Sequence, residues 1–175
     1  MSWRVVTYRL GRDASRHRVG VWRELRRVGA LALQSATWAI PAGDRFDEGL
    51  AKAVRLVERA EGQILVFDVA PTDASRAALE ALYTAEREAE WSEFCSECDK
   101  VLAELRARSV RECPTPAEFD EEEHNLDRLR RRFRELRSRD LFTAPSSGPA
   151  AQQLQCCTER LEALADRVHE ARPRP

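Results

Sequence analysis

The sequence predicts an α+β protein in which a small sheet domain precedes a longer helical region. Three observations carry this. Short β-branched or aromatic runs alternate with helical patterns as far as Val69. No strand signal follows Pro71. Three amphipathic helical patterns fill most of the remainder. The expected boundaries are a sheet domain over residues 1–71 and a helical region over 72–172.

The elements follow in order. Trp3 to Leu10 (WRVVTYRL) is rich in β-branched and aromatic residues, ends at Gly11, and reads as a first strand. Ser15 stands at an N-cap position, Arg16 to Val28 reads as a helix, and Gly29 stops it. Ala30–Leu33 and Thr37–Ile40 are two short apolar runs, read as a hairpin closed by Pro41. Asp44 opens a second helix with Leu50, Val54 and Val57 on its buried stripe, and Gly62 ends it. Ile64 to Val69 (ILVFDV) is a strand of core type. This order is the ferredoxin-like βαββαβ pattern. Beyond it, helices are expected over Asp73–Arg108, over Ala117–Leu141 after the breakers Pro114 and Pro116, and over Gln152–Val168 after an APSSGP loop. Their apolar stripes predict a three-helix antiparallel α region, and Arg172–Pro175 reads as a frayed tail.

Composition bounds the function. The chain has 175 residues, 43% hydrophobic and 34% charged, with a net charge of -1, so distribution of charge matters and its total does not. Of the 29 basic residues only Lys52 and Lys100 are lysine. No long apolar run and no secretory leader are visible, so no membrane partner is expected. Five cysteines in such a chain imply reduced thiols and a cytoplasmic protein. No phosphate loop, nucleophile elbow or paired-carboxylate motif is present, so neither an enzyme nor a cofactor is expected.

The basic charge concentrates near the N-terminus. Between Arg4 and Arg27 lie eight arginines against Asp13 and Glu24, a local +6 in an otherwise acidic chain. A wheel at about 100° per residue, with Arg16 at zero, puts Arg23 near 340° and Arg27 near 20°. These three form an outward stripe suited to phosphates, with Arg26 flanking it. Val28, Val21, Leu25 and Trp22 are expected to form the buried face. Arg18, near 200°, falls within that face and needs a partner there. With Ser15 at the helix N-terminus it forms a candidate site for a small oxyanion.

Other candidates read as structural. Cys95 and Cys98 form a Cys-x-x-Cys pair in mid-helix, but no second pair of zinc type follows, and both fall on apolar stripes. Cys157 lies on the stripe of the last helix. His17, His124 and His169 are on separate elements and make no catalytic set. The acidic run Asp120–Glu123 complements a helix dipole. Arg130–Arg132 reads as a solvated face of the same helix or as a second basic patch.

The stretch YRLGRDASRHRVGVWRELRRVGALALQSATWAIP resembles the N-terminal domain of the ChrB family of chromate-resistance regulators. The residues that carry the likeness include Ser15, Arg18, Val19, Val21, Trp22, Arg23, Leu25, Gly29, Ala30 and Pro41. Further on, EREAEWSEFCSECDKVLAEL is similar to the family's Glu-Tyr-x-Glu-Phe-x-x-x-Cys stretch, with Trp91 in place of Tyr and Cys98 at the Cys. A later segment ends in Arg139, Asp140 and Phe142, like the family's Arg-Asp-x-Phe.

The resemblance implies a bacterial transcription regulator of a chromate-resistance operon. Operator DNA would meet Arg16, Arg23, Arg26 and Arg27. An oxyanion such as chromate would sit at Ser15 and Arg18, and a homodimer is expected. Full ChrB proteins carry a second domain, whereas this sequence stops at Pro175, so the expectation is a stand-alone module or a relative with a changed role. The residues leave open a second reading, a dimerisation or protein-interaction module with a Cas2-like core that does not bind DNA. In that case the arginine stripe would face carboxylates such as Asp120–Glu123. A nuclease of the Cas2 type is disfavoured, because Arg9 and Arg12 stand where an acidic metal ligand is needed.

Overall fold

A computed structural model describes residues 1–11, 14–110 and 115–170, without the side chains of 110, 116 and 168–170. Arg12, Asp13, Pro114, the His169 side chain and the tail lie outside these residues. The described chain forms β1 (Trp3–Arg9), α1 (Ser15–Val28), β2 (Leu31–Gln34), β3 (Thr37–Pro41), α2 (Asp44–Arg59) and β4 (Gln63–Val69). Three long helices follow: α3 (Asp73–Val110), α4 (Pro116–Arg139) and α5 (Ser147–Glu170).

The four strands make one antiparallel sheet in the order β2-β3-β1-β4. This order and the alternation of elements are compatible with the expected βαββαβ arrangement. The pairings Val6↔Trp38 and Val6↔Val66 place Arg4, Val6, Tyr8 and Trp38 on one face of the sheet. Val6 is fully buried there, and Arg4 on the same face bonds Asp47 of α2 and Asp68 of β4.

Helix α1 ends as expected at Gly29, whose φ of 87° is left-handed and strains any residue with a Cβ. Its N–H and that of Ala30 return to the carbonyls of Arg26 and Leu25 at 3.0 and 2.9 Å. The start differs by one residue: Ala14 holds the cap position without a side-chain bond, and Ser15 is the first helical residue. Helices α1 and α2 pack closely at Gly49, where a Cβ would come within 2.5 Å of Val28. The end of α2 differs too, because Glu61 and not Gly62 takes the left-handed conformation. Gly62 is required by space, since a Cβ there would approach the Arg9 carbonyl to 2.7 Å.

The chain divides into two compact units, Met1–Tyr83 and Thr84–Pro175. The division falls inside α3. Its first turns belong with the sheet, where the Tyr83 and Trp3 rings meet edge to face at 5.8 Å.

In the second unit α3, α4 and α5 share a core built around Trp91, Phe94, Leu105, Leu126, Leu129 and Leu164. Polar contacts give the directions of the helices. Arg108 reaches Glu121 and Glu122 near the start of α4, whereas Glu90 meets Arg139 at its end, so α4 runs antiparallel to α3. Glu88 with Ser146, Asp99 with Gln153 and Ser109 with Arg167 show α5 parallel to α3. Helix α4 opens with a complete capping box, Thr115 with Glu118, and Pro116 in the first turn. Helix α5 begins earlier than expected, at Ser147, so half of the APSSGP segment is helical. Pro149 is tolerated there because N–H groups of a first turn lack intrahelical acceptors anyway. Cys98 and Cys157 are buried in this core, and Cys95 packs against it.

Candidate functional site: the arginine helix and the cavity beside it

Buried residues on α1 are Val21, Glu24, Leu25 and Val28. On the wheel these span about 80° to 180°, so the core-facing wedge is rotated from the expected one. Two expectations change as a result. Trp22 is 46% exposed, and Arg18 is exposed as well. The flank that carries Arg18, Trp22 and Val19 does not seal against the sheet. It forms one wall of a cavity.

That rotation also sorts the outward arginines. Arg27 turns inward along the helix and bonds the Glu24 carboxylate, its Nε 3.2 Å from both oxygens. Lys52 of α2 reaches the same carboxylate at 3.2 Å. Burial opposes ionisation of Glu24, but the hydrogen bonds from Arg27 and Lys52 outweigh it and hold the carboxyl below its ordinary range. Arg26 lies over the Trp22 ring, 5.4 Å from its centroid. Arg16 and Arg23 are exposed and border a shallow depression with Ser15 and Val19. Neither has an ion pair with another described residue. Of the four arginines expected on phosphates, Arg16 and Arg23 thus present their charge most directly.

Ser15 and Arg18 part company. Ser15 borders the depression, whereas Arg18 borders the cavity, and the Val19 side chain touches both. The Arg18 guanidinium donates a long bond, 3.4 Å, to the Gly11 carbonyl.

The cavity has a volume of about 610 Å³. Its floor is the helix-facing side of the sheet, where Tyr8, Ala32 and Trp38 stand on three adjacent strands. Burial pushes the Tyr8 phenol up, while the Trp38 indole and the Arg18 charge pull it the other way. Trp38 is 3% exposed, and its indole stands beside the Tyr8 phenol. The turn at Ala36, φ 70°, closes one end, and its carbonyl accepts from the Tyr8 N–H at 3.1 Å. The sequence reading missed this cavity. Its signal was Tyr8 and Trp38 at same-face positions of strands that only the sheet order makes adjacent.

Comparison with protein families matches residues 18–174 to the family described as Protein ChrB, N-terminal. The chain belongs to the ChrB N-terminal family. As a ChrB-type chain it is associated with chromate resistance. The match begins at Arg18 and runs through all three long helices, so the helical unit is part of what defines the ChrB N-terminal region. Comparison with curated proteins finds no match. No helix among the described residues is long and apolar enough to cross a membrane. No group of three or more His, Cys, Asp or Glu that could hold a metal ion occurs among them.

Proposed function

We propose that this chain is a non-enzymatic, cytoplasmic regulator of the chromate-resistance type that contacts operator DNA through α1. The observation that carries the reading is the exposed pair Arg16 and Arg23 on one helix flank of a ChrB-family chain. Exposed guanidinium groups suit phosphate contacts, which supply most sequence-independent affinity, and neither Arg16 nor Arg23 has an ion pair among the described residues. Arg26 and Arg27 flank the pair and add field, although Glu24 offsets Arg27 and Trp22 carries Arg26. The sheet is read as ferredoxin-like, and the helical unit as the part that sets homodimer geometry. Ser15, with the N–H groups of the first helical turn, and Arg18, which borders the cavity on the other side of Val19, are read as contacts for a small oxyanion such as chromate.

The alternative, a protein-interaction module with a Cas2-like core, would set the arginine stripe against Asp120–Glu123. Two of those carboxylates, Glu121 and Glu122, are already held by Arg108 at 2.7 and 2.6 Å. This favours the DNA reading.

The test is a fluorescence-anisotropy titration against duplex DNA from upstream of the chain's own gene, across a range of salt. Replacing Arg16 and Arg23 with Ala is expected to weaken binding and flatten the log–log salt slope by about 1.8, roughly 0.9 per lost phosphate contact. Adding Arg27→Ala should change the slope by less than either. An unchanged slope in the double variant sinks the assignment.

A further inference from the structure

We propose that the cavity beside α1 binds a planar, mostly apolar organic monoanion, of the aromatic carboxylate class. This keeps Arg18 as an anion contact but gives it a larger ligand than the small oxyanion proposed above, and it does not depend on DNA binding. Four observations converge on it. The volume of about 610 Å³ lies within the range of small-molecule sites, roughly 300–1,000 Å³. A four-oxygen anion would leave most of it unfilled. The walls are aromatic, with Tyr8 and Trp38 on the sheet and Trp22 on the helix. Flat faces of this kind favour a flat ligand through offset or edge contacts.

The third observation is exposed apolar surface at the mouth. Val19 and Trp22 stand one helical turn apart, each 46% exposed, and both line the cavity. An apolar ligand would cover surface that water now wets. The fourth is polarity. Arg18 and Arg9 bring positive charge to the lining, which disfavours a cationic ligand. The Tyr8 phenol adds a polar group to the floor, and Arg18 offers the charged fork, so a neutral hydrocarbon would leave that fork unmatched. A flat ring bearing one carboxylate answers all four. The ring fills the aromatic space, while the carboxylate accepts from the Arg18 fork. A bare tetrahedral oxyanion would instead lose its hydration against apolar walls that return nothing for it.

The test is isothermal titration of the full chain with 2-naphthoate, run beside 2-naphthalenemethanol, sulfate and chromate. Saturable naphthoate binding is expected, weaker for the neutral alcohol and not displaced by an equal concentration of sulfate or chromate. Arg18→Gln should weaken naphthoate about tenfold, the share of one charge-assisted hydrogen bond. Ala32→Trp fills the floor from a strand position that accepts aromatics and should abolish binding. Thermal melts of both variants establish that they are folded. Naphthoate binding that both folded variants retain at full strength overturns the proposal. So does absence of naphthoate binding while chromate binds in an Arg18-dependent way, which would leave the oxyanion reading standing. If neither anion binds, both readings of Arg18 fall, and the DNA titration decides the rest separately.

Discussion

Replacing Glu24 by Gln removes one negative charge from the interface of α1 and α2 at nearly constant shape. The Glu24 side chain is only 7% exposed, and its carboxylate accepts from Arg27 at 3.2 Å and from Lys52 at 3.2 Å. A hydrogen bond to a charged group contributes about 1.5–3 kcal/mol when well shielded. Both cations are more than half exposed, so solvent screens them and each contribution moves toward the surface value of about 0–1 kcal/mol. Gln retains an acceptor oxygen. The expected loss at neutral pH is therefore about 1–2 kcal/mol, read from urea unfolding of wild type and variant.

The sign of the pH dependence follows from the depressed Glu24 pKa. A carboxyl held below its unfolded value contributes stability above that value, near 4.3, and loses it as pH falls through the folded pKa. The gap between wild type and Glu24→Gln should therefore be fully open at neutral pH. It should narrow as the pH drops below about 4. A gap that stays constant over that descent, or a variant as stable as wild type at neutral pH, would refute the claim that charge pairing at Glu24 joins the two helices.

Two further outcomes can be checked together by the same unfolding measurement. Gly49→Ala gains about 1 kcal/mol of helix propensity but sets a methyl 2.5 Å from Val28 Cγ2, so a net loss of up to about 2 kcal/mol is expected. A stabilised variant would show that Val28 yields freely. Asp140→Ala strips acceptors from the Trp91 indole N–H, at 2.9 Å, and from the Ala144 N–H, at 3.1 Å, both buried. Leaving two buried donors unmatched should cost about 2–4 kcal/mol and redden Trp91 emission, and an unchanged midpoint would argue against the bond.

The C-terminal part of α3 and the family motifs found in it show how the sequence signal worked. Trp91 and Asp140 lie in two separate segments that resemble the family's, and the Trp91 indole donates to the Asp140 carboxylate. Cys98 and Cys157 fall on the apolar stripes of their helices, and the Cys157 thiol donates to the Cys98 carbonyl in the core, at 3.7 Å. The capping box at Thr115 was legible as Thr-Pro-Ala-Glu, a local signal that Pro114 and Pro116 obscured by reading as breakers. Local chemistry of this kind depends on residues within one turn, which is why the chain carries it openly.

The arginine helix divides the two kinds of information most clearly. Periodicity alone determined that Arg16 to Val28 is helical, that Gly29 stops it, and that Arg16 and Arg23 share an outward flank, because these follow from 3.6 residues per turn and from a left-handed cap. Which wedge of that helix meets the core was decided by the sheet and by α2. Lys52 lies 3.2 Å from the Glu24 carboxylate, and Gly49 lets Val28 approach. That rotation buries Glu24, offsets Arg27, exposes Trp22 and turns Arg18 from a buried charge into the rim of a cavity. The cavity joins α1 and the β2–β3 hairpin to β1, about 30 residues earlier in the chain, so no local pattern could specify it. It exists because the register sets Tyr8, Ala32 and Trp38 on one face of the sheet.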